Sequence, residues 1–303
     1  MGKQTKQGGS HFGGKWTKQK LHIIDEYLKT YAMVLKNQKV KKIYIDGFAG
    51  SGKTELKVDK KANAPLLTDF LEEKQDEVES STIDGSALLS LKYDFDEYYF
   101  LELDEKRIKA LKENISIKFP NKTNKVHFIN GDSNVRLKEI VKGISVYSRC
   151  LMFLDPYAME LDWSALEQIS QCGVVDLWYL FPINALCRIL PKDGSILDSN
   201  KETITKILGT TEWESALYRE SQQLNLFGDI HKERVNFDRL VQFVKMRFAT
   251  LFPYVSPESK ILKNVKRNSP MFLLCFMMTN TSPKAVGAAS RIVKSVIEST
   301  ENL

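Results

Sequence analysis

Apolar residues recur every three to four positions across residues 15–37, at Leu21, Ile24, Tyr27, Leu28, Tyr31 and Leu35. That spacing predicts an amphipathic helix, one that covers a face of whatever follows. From residue 41 the pattern changes to short, nearly continuous apolar runs. They are 42–45 (KIYI), 97–103 (EYYFLEL), 126–129 (VHFI), 150–154 (CLMFL), 174–181 (VVDLWYLF) and 271–278 (MFLLCFMM). Runs this short and this apolar read as strands buried on both faces. Helical stretches at 84–91 and 105–115 lie between them, and a closing helix is expected at 283–297. Strands alternating with helices imply βαβ units and an α/β fold built on a parallel sheet.

The pattern also divides the chain. Residues 1–14 are glycine-rich and basic with few aliphatic groups, and are expected to form a mobile arm. The core begins at residue 15 and runs to 184, interrupted at 55–82 by a lysine- and acid-rich surface insertion with a helical stretch at 66–71. Residues 185–250 read as helices and loops (LCRILPKDG, TEWESALYRE, FDRLVQFVKMRFATL), an insertion roofing the strand ends. Residues 251–303 then complete the core with the final strand or strands and the last helix.

Composition changes this picture little. Hydrophobic residues make up 43% and charged residues 27% of the 303 positions, which suits a globular domain with an ample core. A net charge of +6 permits a polyanionic partner without requiring one. The four cysteines, Cys150, Cys172, Cys187 and Cys275, have no C-x-x-C spacing and three adjoin apolar residues. They read as buried free thiols of a reducing, cytoplasmic compartment. No apolar run approaches the length of a membrane span.

The chemistry gathers at one glycine-rich turn, DGFAGSGKT, directly after the first strand. Glycines there let backbone approach a ligand that a Cβ would repel. The turn supports two readings. As GFAGSGKT it matches the phosphate-cradling pattern G-x-x-x-x-G-K-[ST] of an ATPase or kinase, with LMFLD at 151–155 as its magnesium-binding strand. That reading needs a helix opening at Gly52-Lys53-Thr54, where the chain instead continues as ELKVDKKANAP. It also leaves Glu102 and Asp132 without a task. As DGFAGSG the turn suits a nucleoside cofactor, because each of the first four strands ends in an acid: Asp46, Glu102, Asp132 and Asp155. Glu102, ending the second strand, has the position that grips ribose hydroxyls, and Asp132 could accept from an adenine amino group. Taken singly, each acid could equally cap a helix. Lys20 could reach a cofactor carboxylate, while His22 suits a helix surface.

With these residues assembled, the chain resembles the three-Cys-motif partner protein (TcmP) family, whose fold is that of class I S-adenosylmethionine (SAM) methyltransferases. The resemblance runs in order through KWTKQKLHIIDEYLKTY, YIDGFAGSG, DGSALLSL, YYFLELDEKRIKAL, FLDPYAMELDWSALEQI, VVDLWYLFPINALCRILPKDG, TEWESALYRE and PMFLLCFMMTNTSPKAV. DPYAMELDW and DLWYLFP are its most specific parts. It implies a doubly wound, mostly parallel seven-stranded Rossmann-like sheet with a helical insertion. It implies SAM as cofactor, held by Asp46, Gly47, Phe48, Ala49, Gly50, Gly52, Glu102, Leu103, Asp132 and Ser133, and a partner protein carrying a three-cysteine motif. The Gly-Lys-Thr triplet and the long 55–82 insertion depart from the family pattern.

A looser similarity joins Asp155-Pro156-Tyr157 to amino-methyltransferases of DNA and RNA. Those carry an Asp/Asn-Pro-Pro-aromatic motif after strand four, in which the acid accepts from the target amine and the aromatic stacks on a flipped base. The second proline is absent here. Asp155, Pro156 and Tyr157 are thus the candidate catalytic group. Trp178, Tyr179 and Phe181 could form a stacking wall or simply core, and Lys260, Lys263, Lys266 and Arg267 a phosphate-tracking or a merely solvated loop. Three classes follow: a nucleic-acid methyltransferase serving modification or defence against phage DNA, a SAM-binding accessory subunit of a radical-SAM-like partner, and the P-loop ATPase or kinase.

Overall fold

The computed structural model describes residues 15–57, 80–224, 230–264 and 267–300. The expected arm at 1–14, the expected helix at 66–71 and Lys266 lie outside them. In chain order the elements are α1 (Lys15–Val34), β1 (Lys41–Asp46), β2 (Lys53–Lys57), β3 (Ser80–Asp84), α2 (Ser86–Ser90), β4 (Glu97–Glu102) and α3 (Glu105–Lys118). A 3-10 turn leads to β5 (Val126–Asn130), α4 (Ser133–Gly143), β6 (Ser148–Leu154), α5 (Trp163–Ser170) and β7 (Val175–Phe181). Then come α6 (Ile183–Ile189), α7 (Asp198–Leu208), α8 (Trp213–Leu217), β8 (Tyr218–Leu224), β9 (Ile230–Arg234) and α9 (Phe237–Ala249). The chain closes with β10 (Tyr254–Lys263), β11 (Pro270–Met278) and α10 (Pro283–Glu298).

Seven strands form one sheet in the order β10-β11-β7-β6-β1-β4-β5. β11 runs antiparallel to both neighbours and the other pairings are parallel. This is the doubly wound, mostly parallel Rossmann-like sheet of the class I methyltransferase type. The apolar runs are continuous because both faces are covered. On one face Ile43, Ile45, Met152, Leu154, Leu177, Tyr179 and Phe181 meet residues of α4, α5 and α7–α9. On the other, Tyr44, Tyr98, Phe100, Leu151, Phe153, Trp178 and Leu180 meet α1, α2, α3 and α10. Alternation along each strand sends successive side chains to opposite layers. Truncating one of the fully buried rings, such as Phe100 or Phe153, to alanine should cost about 3–5 kcal/mol.

Three segments differ from their sequence patterns. Lys53 and Thr54 open β2, which pairs antiparallel with β3 from Lys53↔Asp84 to Lys57↔Ser80. The ends of the 55–82 insertion are therefore a ladder. No helix starts at Gly-Lys-Thr, so the amide-rich helix terminus that a P-loop needs for phosphate does not form. The ATPase reading falls with it. The stretch YRE, expected among the helices and loops of 185–250, instead enters the β8/β9 hairpin (Tyr218↔Arg234, Arg219↔Glu233). Lys260 and Lys263 belong not to a loop but to β10, which pairs along β11. β10 is an edge strand, and its Pro257 falls at the register shift between Val255 and Ser259. An edge bulge tolerates a proline that a central strand would not.

Candidate active site

The chain leaves β1 toward β4 and β5 on one side, then returns to β6 and β7 on the other. In such sheets the crevice between the diverging strands, at their carboxyl ends, is where ligands fit. Asp46 ends β1 and Asp155 follows β6, its immediate neighbour.

The turn after β1 is drawn across this crevice by its own backbone. Gly47 N–H donates to Phe153 O at 3.0 Å, reaching β6, and Ala49 N–H donates to Leu101 O at 2.9 Å, reaching β4. Gly50 and Gly52 have φ of +58° and +76°, the left-handed region that L side chains resist. A Cβ at Gly50 would meet nothing within 4 Å, so bare backbone faces open space there. At Gly52 it would lie 2.6 Å from Leu111 Cδ1, so this second glycine is needed for packing as well.

Asp46 is fully buried and works inward. Its Oδ1 accepts from Phe48 N–H at 3.1 Å and its Oδ2 from Ser86 Oγ at 2.6 Å. Burial pushes this carboxyl up to about 7, opposed by those two hydrogen bonds; Asp155 raises it further and Lys20 lowers it. Asp46 thereby holds the turn's shape. Ser133 is buried too, its hydroxyl donating to Gly47 O, which ties the start of α4 to the turn.

Glu102 lies at the end of β4 with 9% of its surface exposed. Its Oε1 accepts from Asp104 N–H at 2.9 Å, and Oε2 has no hydrogen-bond partner among the described residues. Leu103, beside it, is 69% exposed. Asn130 Nδ2 bridges Glu102 O and Leu103 O at 3.0 and 2.9 Å, fixing this corner. Asp132 is exposed and caps α4, accepting from Asn134 N–H at 2.8 Å. One oxygen is thus used as a helix cap.

Asp155 forms an ion pair with Lys20, whose side chain is buried under α1 with its ammonium 5.5 Å from the Trp16 ring centroid. The sequence pointed Lys20 at a cofactor carboxylate; its partner in the fold is Asp155. Nearby on α1, Thr17 Oγ1 is buried without a hydrogen bond. Pro156 is buried and Tyr157 is 61% exposed at the rim. Trp178, Tyr179 and Phe181 are at most 1% exposed, so they are core and form no stacking wall. His22 sits at the surface against Ser299 Oγ at 3.2 Å.

Two positioning residues escaped the sequence reading. Ser86 stands in what reads as an ordinary helix start. Asn134 donates to Glu160 O and accepts from Asp162 N–H, both at 2.8 Å, pinning the 155–162 loop to α4. Only a partner distant in sequence gives either its role, so no local pattern marks them. Among the described residues no cluster of His, Cys, Asp or Glu could hold a metal ion, no helix is long and apolar enough to cross a membrane, and all four cysteines are free.

No family model matches the chain, and no curated protein does. Solved structures share its outline at low identity. Protein LPL1258 of Legionella pneumophila, from a family named DUF519, is 13% identical over 95% of this chain and 94% of its own, with a TM-score of 0.46. Spermidine synthase of Thermotoga maritima is 10% identical over 93% and 74%, TM-score 0.40. The methyltransferase domain of bacterial CtHen1 is 10% identical over 84% and 98%, TM-score 0.37. At such scores the strand order, rather than these neighbours, is the ground for the fold.

Proposed function

We propose that this chain is a SAM-dependent methyltransferase acting on an amine nitrogen of a nucleic-acid base, of the TcmP type and working with a three-cysteine-motif partner. One observation carries the reading: the acid of Asp-Pro-Tyr follows the strand next to a bare-backbone glycine turn, at the switch point of a doubly wound sheet. The residues present fit the cofactor. Gly50 offers uncovered backbone, Glu102 an oxygen without a partner among the described residues, and Leu103 an exposed apolar face. On this reading the 47–52 backbone takes the amino-acid end of SAM, with Asp46 and Ser133 acting through the turn's shape. Glu102 takes the ribose hydroxyls, Leu103 packs on the adenine, and Asp132 uses its second oxygen for the adenine amine. SAM, when bound, supplies an electrophilic methyl group on its sulfonium. Residues 15–184 then form the cofactor-binding core and 185–250 the substrate side.

This chain's own contribution is positioning. Asp155 accepts a hydrogen bond from the target amine, keeping the nitrogen lone pair available, while Tyr157 stacks on the base. Lys20 orients Asp155 through their ion pair, and Asn134 keeps the loop behind it in place. Transfer of labelled methyl groups to DNA, RNA and the partner, comparing wild type with Asp155→Ala, tests the reading. Label on nucleic acid that disappears in Asp155→Ala is the expected result. Label that persists in Asp155→Ala would remove Asp155 from the chemistry, and no label on any acceptor with the partner present would favour an accessory subunit.

A further inference from the structure

Outside this site, the described residues hold a second polar feature, rich in arginine. A cleft of about 230 Å³ is lined by Arg219, Glu233, Arg234, Val235, Asn236 and Arg239, where the β8/β9 hairpin meets the start of α9. Three guanidinium groups face one carboxylate. Glu233 is taken by Arg219 at 3.3 Å. Arg234 spends its Nη1 on the carbonyls of Cys187 and Leu190. The Arg239 guanidinium has no hydrogen bond or ion pair among the described residues. Across the hairpin Glu220 faces Lys232, so those charges cancel. The lining keeps an excess of two positive charges.

Its position follows from the topology. β7 runs parallel to β6, so Phe181 ends at the same edge of the sheet as Asp155. α6 starts two residues later, and its far end is the segment that Arg234 grips. Seven helical residues at about 1.5 Å each span roughly 10 Å, and one strand spacing adds about 5 Å. Along this path the cleft lies within a few nucleotides' reach of Asp155. It is smaller than the roughly 300 Å³ at which small-molecule pockets begin, and its polar lining suits one phosphate group rather than a nucleoside.

We infer that the Arg219, Arg234 and Arg239 cleft seats a backbone phosphate of the single strand whose base is presented to Asp155. The inference rests on the nucleic-acid reading above. Arg219 and Arg239 make the phosphate contacts, and Arg234 holds the cleft wall against α6. Backbone contacts of this kind position a substrate without reading its sequence.

The test is binding of a fluorescein-labelled 20-nucleotide single strand, as DNA and as RNA, with a duplex alongside, followed by anisotropy between 50 and 200 mM salt. The proteins are wild type, Arg219→Ala/Arg239→Ala and Arg219→Lys/Arg239→Lys, with S-adenosylhomocysteine titrated calorimetrically into each. The alanine pair should bind single strands about tenfold more weakly at low salt, and the slope of log K against log salt should fall by about 0.7, the value for one phosphate on a single strand. The lysine pair should retain most of the affinity, and S-adenosylhomocysteine affinity should not change in either. Wild-type binding that the alanine pair leaves unaltered overturns the cleft's role while the nucleic-acid reading stands. Wild type that binds none of the three probes at 50 mM salt removes the nucleic-acid reading and the cleft's role with it.

Discussion

Replacing Lys20 by methionine isolates the ion pair that holds Asp155. The methionine keeps most of the stem that lies against Trp16 and Phe153 but leaves the Asp155 carboxylate without its cation. Breaking a buried pair from one side costs about 3–5 kcal/mol because an uncompensated charge is left behind. The Lys20 side chain is 9% exposed and that of Asp155 24%, so water screens one end of the pair. The expected loss is therefore near the lower bound, about 3 kcal/mol, or roughly 6 °C in Tm for a chain of this size. Asp155→Asn strands the lysine instead and should cost a similar amount. The double variant, with neither charge, should cost no more than either single variant, giving a coupling of about 3 kcal/mol. Urea unfolding of all four proteins closes the cycle. Losses that simply add, with coupling below about 0.5 kcal/mol, would show that the ion pair does not hold Asp155 and would refute the positioning argument.

Other outcomes follow from the same geometry. Gly50→Ala should cost only about 1–2 kcal/mol of stability, the price of a left-handed alanine, yet weaken S-adenosylhomocysteine binding in calorimetry by an order of magnitude or more. Gly52→Ala adds a collision with Leu111 and should unfold at distinctly lower urea. Asp176 is buried on β7 with Tyr27 O–H donating to it at 3.2 Å, and burial raises its carboxyl from 3.8 to about 7. A raised carboxylate pKa means that the unfolded chain loses the proton first, so its contribution falls as pH rises from about 4 to 7. Asp176→Asn should accordingly leave stability nearly unchanged at pH 4 and raise it at pH 8, by up to about 4 kcal/mol; an equal shift at both pH values would contradict this. Lys53→Ala, in a strand rather than a phosphate loop, should leave cofactor affinity unchanged.

Much of the core was legible because burial on both faces leaves a plain trace, as 174–181 and 271–278 illustrate. β10 and the β8/β9 hairpin were hidden for the opposite reason. β10 is an edge strand whose buried residues are broken up by Pro257, Glu258 and Lys260, and the hairpin's strand YRESQQL carries little apolar periodicity. At the site, the acids could be found from their place at strand ends. What each carboxylate does was not legible, since Asp46 turning inward depends on Ser86, forty residues away, and Asp155 depends on Lys20, 135 residues earlier. Aromatic runs carried no signal separating a binding wall from core. The 155–162 loop likewise owes its anchor to Asn134, a residue with no motif of its own.

Calorimetric titration of S-adenosylhomocysteine and of magnesium-ATP into wild type and Glu102→Ala addresses the crevice itself. The account predicts that the nucleoside thioether binds wild type, that Glu102→Ala binds it at least tenfold more weakly, and that magnesium-ATP gives no heat. Binding of magnesium-ATP without the thioether, or a Glu102→Ala titration matching wild type, would contradict it.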